Sequence, residues 1–240
     1  VETKPTADER EPWVRRLRDG QAPPVLRIVT ALLVLSATGA LTLWLEALHP
    51  EWVRRTHGDG GRGSSIVFVP LVLLLCGMVG AVVAWLVSRQ DRRTLQRIRE
   101  AGVDVAFHLP VATTSTMAAE QFAEPEPVIW TVDDVGLHGW GPDHRGPVHE
   151  LPWAKTRRID VATRRWRGQD ADYGIRIDTD HGHVVLEPRS GLCRPSRAGQ
   201  DGLAVLTRVL RALRDRAAPL PGAGGATGDT PLGAPAAPTG

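Results

Sequence analysis

The sequence predicts an α+β membrane protein: a hairpin of two transmembrane helices, followed by a small antiparallel β-barrel or sandwich capped by a C-terminal α-helix. Two long apolar runs lie near the N-terminus, the hydropathy pattern changes to a period of two after residue 128, and an amphipathic stripe at helical spacing comes last. The 240-residue chain is 42% apolar, but the apolar residues are concentrated in the two runs. Class is therefore assigned segment by segment.

Residues 1–24 form a polar N-terminus predicted to be cytoplasmic, in which Trp13, Val14 and Leu17 are placed against a membrane surface. The transmembrane hairpin occupies 25–88. Its first span, 28–48, carries one charge, Glu46, and its second, 66–87, carries none. At about 1.5 Å of rise per residue, each crosses a hydrocarbon core of roughly 30 Å as a helix. A secretory signal is the rival reading of the first run, but the apolar residues continue past "SATGA" to Leu48, longer than such a segment needs. Pro70 falls within the first turn or so of the second span, where its missing N–H costs little.

Small residues at helix-packing spacing, Ser36 and Ala40 in one span and Gly77, Ala81, Gly80 and Ala84 in the other, predict close packing of the hairpin. A homo-oligomer through the same faces stays open. No ionisable residue lies in the middle of either span, which points to an anchor rather than an ion pathway. Arg and Lys cluster before the first span and after the second, while the connecting loop has only Arg54, Arg55 and Arg62. That asymmetry predicts a multi-pass protein of the inner or plasma membrane with both termini and the C-terminal domain in the cytoplasm. Trp44, Trp52 and Trp85 sit where an interfacial aromatic belt is expected.

Residues 89–127 are predicted as a cytoplasmic helix and connector. Leu95, Ile98 and Ala101 lie at helical spacing among arginines, and Gly102 supplies a C-cap. "VDVAFHL" suggests a strand, and the polar run that follows ends at Pro125 and Pro127. From 128 to 216 a single domain is expected. "VIWTV" and "GLHGWG" flank the turn "DDVG", and short strands continue through "VHEL", "LPWAKTRRIDV", "YGIRIDT" and "HVVLE". Leu203, Leu206, Leu210 and Leu213 then form one helical stripe that should cover an open end of the barrel. Residues 217–240 lack the apolar content to fold and are predicted to be a disordered tail.

The order of strands then one helix, with "VDDVGLHGWG", "ELPWAKTRRIDV" and "GHVVLEPRSGL", resembles the bacterial pleckstrin-homology-like (PH) domains found behind one or two membrane spans. The likeness covers about 90 residues. It implies that Trp153, Ile159 and Val161 are structural core, with Thr156 where an aliphatic is more usual. Relatives that bind phosphoinositides use Lys and Arg around the first hairpin, whereas this chain has Asp133 and Asp134 there. The usual route to inositol phosphates is therefore not expected.

The stretch from Leu151 to Trp166 supplies the main binding candidates. Lys155, Arg157, Arg158, Arg164, Arg165 and Arg167 form a basic patch suited to anionic lipid headgroups or a protein partner, although exposed charge on a strand also blocks edge pairing and needs no ligand. The net charge is only +2, with 29 basic and 27 acidic residues, and no nucleic-acid partner is expected. Asp178, Asp180, His181 and His183 in "DTDHGH" are a donor mixture that a divalent metal accepts, but Asp and Gly between strands are also what a hairpin turn needs. His138, His144 and His149 are too loosely spaced to define a site. Two cysteines, Cys76 and Cys193, make no disulfide framework or metal knuckle.

No phosphate loop, dinucleotide fingerprint or nucleophile motif occurs, so no catalytic residue and no cofactor are expected. The reading is a membrane-anchored, non-catalytic binding or scaffold module. Its rivals are an accessory subunit of a larger membrane complex and a metal-dependent enzyme at the Asp/His turn.

Overall fold

The computed structural model describes residues 11–49, 64–112, 126–166 and 168–217. The expected tail beyond 217, the loop between the apolar runs, the central part of the connector and Arg167 lie outside them. In chain order the elements are helix α1 (Pro12–Arg18), α2 (Val25–Leu48) and α3 (Ser64–Glu100), strands β1 (Phe107–Pro110), β2 (Ile129–Val132), β3 (Gly136–Trp140) and β4 (His149–Pro152), a 3-10 turn (Trp153–Lys155), strands β5 (Thr156–Trp166), β6 (Gln169–Thr179) and β7 (Gly182–Leu186), and helix α4 (Gln200–Ala217).

Helices α2 and α3 are long and apolar enough to cross a membrane, with 18-residue stretches of mean hydropathy 2.0 within Leu26–Leu48 and 2.5 within Phe68–Glu100. Among the described residues, every exposed large apolar side chain except Val103 and Val135 belongs to these two helices. They pack on each other through the small residues. A Cβ on Gly39 would meet Pro70 O at 2.5 Å, and one on Gly77 would meet Leu32 O at 2.7 Å. Ser36 Oγ donates to Leu74 O across the contact at 3.0 Å. Gly39 was not among the expected packing residues, and Ala40, which was, faces outward. Helix α3 begins at Ser64, so Pro70 sits in its second turn.

The β strands form two antiparallel sheets, ordered β1-β2-β3-β4 and β5-β6-β7. No closed barrel is formed among the described residues, which corrects the barrel half of the expectation: no ladder joins the two sheets. Asp133 closes the β2–β3 hairpin. Its Oδ1 accepts from the Val135 and Gly136 N–H groups, each at 2.9 Å, a local turn suited to a short acidic side chain. The Trp153 indole N–H donates to Asp133 O at 2.9 Å, tying the 3-10 turn to that hairpin. Trp153 and Ile159 are buried, and Val161 is partly buried against the core.

Helix α4 buries Leu203, Leu206 and Leu210 and leaves Leu213 half-buried, so the predicted stripe is the face laid on β5 and β6. The core also reaches upstream of residue 128. Val14 and Leu17 of α1, Leu95 and Ile98 of α3, and Phe107 and Leu109 of β1 are all part of it. Val14 and Leu17, each 1% exposed, are therefore packed on the domain and not spread on a membrane surface. Gly102, at φ +65°, ends α3 with its N–H on Arg99 O at 3.1 Å, the expected glycine cap.

Candidate functional site

Strand β5 carries the predicted basic patch, and its pairing with β6 decides the patch's electrostatics. Lys155, Arg157, Arg158, Arg164 and Arg165 are all exposed. Acids share the same wall. Arg157 Nε donates to Asp180 Oδ1 at 2.6 Å, Arg158 pairs with Asp160, and Arg165 stands opposite Asp170 in the ladder. Asp160 also receives Arg211 from α4, while Arg176 and Asp178 pair along β6 at 2.7 Å. Exposed pairs of this kind each contribute at most about 1 kcal/mol. Their effect here is to offset the charges of Arg157 and Arg158, with Asp160 shared between Arg158 and Arg211.

The "DTDHGH" residues form the β6–β7 hairpin. Thr179 pairs with Gly182, which takes φ +143°, and Thr179 Oγ1 donates to Gly182 O at 3.0 Å. Asp180 is turned to Arg157, and Asp178 to Arg176. Among the described residues, no group of three or more His, Cys, Asp or Glu side chains converges as a metal site. His138 approaches Asp133 Oδ2 at 3.1 Å without hydrogen-bond alignment and is not joined by His144 or His149.

A second charged centre lies inside the molecule. Asp91 of α3 is 0% exposed and Arg189, just after β7, is 4% exposed. Arg189 Nη2 donates to Asp91 Oδ1 at 2.6 Å and Nη1 to Oδ2 at 3.0 Å. Its remaining donors reach Val111 O at 2.9 Å, Arg194 O at 3.3 Å and Val128 O at 3.4 Å. All five guanidinium N–H groups are thereby used. Asp91 Oδ2 also accepts the Cys193 N–H at 2.6 Å, which holds Cys193 at φ +59°, a backbone region uncommon for a side chain of this kind. Burial pushes the Asp91 carboxyl upward, against the lowering by the Arg189 charge, its hydrogen bonds and the Cys193 N–H.

This centre joins the end of the long apolar helix to β1, β2 and the segment after β7. Removing one member leaves the other charge buried without a partner, which costs about 3–5 kcal/mol. It was not foreseen from the sequence. One signal pointed to it: Asp91 lies four residues before Leu95 and seven before Ile98, on the face of α3 that the apolar stripe buries.

Helix α1 is held against β1 by a buried histidine. His108 Nδ1 lies 3.0 Å from Leu17 O, so the neutral ring with hydrogen on Nδ1 serves as donor. Gly20, at φ +59°, lies over the ring, where a Cβ would sit 2.9 Å from Cε1. Burial pushes the His108 pKa down; the carbonyls of Leu17 and Arg18 oppose this, and Arg99 adds to it. At Cys193, burial pushes the thiol up, so it is a packed side chain and not an activated nucleophile.

No known protein family, curated protein or solved structure matches this chain.

Proposed function

We propose that this protein is a two-span membrane anchor carrying a cytoplasmic pleckstrin-homology-like domain, a non-catalytic binding module that docks a protein partner or the anionic membrane surface. The observation that carries the reading is the continuity of α3. One helix of 37 residues, about 55 Å at 1.5 Å per residue, begins in apolar sequence and ends in the core of the β domain. With Asp91 and Arg189 locked together, the domain is held at a fixed position beside the bilayer instead of swinging on a linker. A binding face so held meets its ligand at the membrane at little orientational cost.

The apolar outer surfaces of α2 and α3 support the membrane location, and the arginines that follow the second span support the cytoplasmic orientation. Seven strands followed by one helix agree with the order that the family resemblance implies.

Two measurements on the full chain test the reading. Alkaline washing of membranes should leave the protein in the pellet, and its release without detergent would overturn the anchor. A photo-crosslinking side chain at exposed Thr163 on β5 should give one defined protein or lipid adduct in the native membrane. No adduct from that wall would remove the docking role.

A further inference from the structure

We infer that the neck of the molecule, where α3 leaves its apolar stretch, binds the phosphate headgroup of an anionic phospholipid from the adjacent leaflet. A groove of about 540 Å³ opens there between α2 and α3, lined at one end by Leu26, Val29 and Trp85 and at the other by Arg89, Arg92 and Arg93. That size is in the range of small-molecule sites. The α3 residues follow helical spacing on one face. The Arg89 guanidinium lies over the Trp85 ring, 5.3 Å from its centroid, a cation–π contact at the boundary between the apolar and cationic ends.

Charge complementarity selects the occupant. The two other lining residues, Ser88 and Gln96, carry no charge. Asp91 is the one acid of α3 before Glu100, and it would neutralise the groove if it faced outward. Instead it is fully buried and taken up by Arg189. Arg92 also approaches the Cys193 thiol, which burial keeps protonated and which therefore adds no negative charge. Three cations thus face the groove with no anion among its lining residues.

The apolar end decides between a lipid and a free anion. Leu26 is 76% exposed and Trp85 50% exposed, and soluble phosphate would leave both uncovered. A phospholipid covers them with acyl chain while its phosphate meets the arginines. This assignment rests on α2 and α3 lying in a bilayer.

The test uses the full chain in neutral detergent, titrated with dioleoyl phosphatidylglycerol and, in separate arms, with dioleoyl phosphatidylcholine and inorganic phosphate. Bound lipids are counted by native mass spectrometry, and the melting midpoint is followed in parallel. Saturable binding of the anionic lipid at least tenfold tighter than the zwitterionic one is expected, with no shift from phosphate alone. Arg89→Gln with Arg93→Gln, exposed positions that leave Arg92 and the buried pair intact, should weaken the anionic lipid tenfold or more. Arg145→Gln, an exposed arginine between β3 and β4 that does not line the groove, should leave it unchanged. Equal binding of the two lipids, an unaffected neck variant, or an equal response to inorganic phosphate would overturn the site. A chain that stays monomeric without detergent would overturn the membrane reading as well, whereas a detergent-requiring chain with no lipid preference sinks the lipid site alone.

Discussion

Two arginine-rich regions of this protein, the neck of α3 and the wall of β5 and β6, dispose of their aspartates in opposite ways. On the wall, Asp160, Asp178 and Asp180 stand among the cations and pair with them in solvent. At the neck, Asp91 is turned through the helix to a buried partner 98 residues away, and Arg89, Arg92 and Arg93 stay on the outside. Composition alone does not separate the two. An Arg–Asp mixture neutralises a surface when both signs share a face, and it polarises a helix when they do not.

The comparison is broken most severely at the buried pair. Asp91→Ala should destabilise the domain by about 3–5 kcal/mol, measured as a drop in the urea midpoint of the detergent-solubilised chain. Asp91→Leu combined with Arg189→Met should recover part of the loss and not all of it. The double variant removes the orphaned charge, but it leaves the Cys193 N–H and the Val111 carbonyl without the partners that Asp91 and Arg189 gave them.

Acid sharpens the contrast, because the neck side carries a buried histidine. The folded pKa of His108 lies below its ordinary value of 6.5, so unfolding takes up a proton in the window beneath that value. The stability contributed by the neutral ring is present above about pH 6.5 and is lost as pH falls through the lowered pKa. The protection of Trp13–Arg18 against hydrogen exchange, corrected for the intrinsic rate at each pH, should therefore fall from pH 7.5 to pH 5.5, ahead of that of β5 and β6. His108→Gln, which keeps a donor for Leu17 O, should flatten that dependence.

Smaller effects follow from packing and from surface charge. Ile98, 2% exposed on the buried face of α3, should lose about 0.5–1.5 kcal/mol on shortening to Val, read from the same midpoint. Asp180→Ala, on the wall, should cost no more than about 1 kcal/mol while leaving Arg157 without its carboxylate. A stability loss at Asp180 that rivals Asp91→Ala would erase the distinction between the two regions.

Much of the architecture was legible because it is local. The apolar runs, the glycine cap at Gly102, the hairpin at Asp133 and the Leu203–Leu210 stripe each depend on residues near in sequence, whereas the strand expected over 103–109 is confined to Phe107–Pro110. That the strands form two sheets and no closed barrel was not legible, because strand order between sheets depends on pairings that no short window contains. The candidate site was half legible. The patch on β5 was visible as a run of cations, but its pairing with acids depends on the turn after β6, which brings Asp180 to Arg157 across the fold. Asp91 was not singled out because its partner Arg189 comes from beyond β7, and Val14 and Leu17 were placed on a membrane surface because β1, which packs on α1, is remote in sequence.

The fixed placement of the β domain on α3 is tested most directly by a distance distribution between spin labels at Met78, on the apolar part of α3, and His181, at the β6–β7 turn, introduced through keto amino acids in the full chain in lipid nanodiscs. Both positions are exposed. One narrow distribution is predicted, broadening in Asp91→Ala. A broad distribution in the unsubstituted chain, unchanged by Asp91→Ala, would mean that the domain swings free of α3 and would contradict the fixed placement.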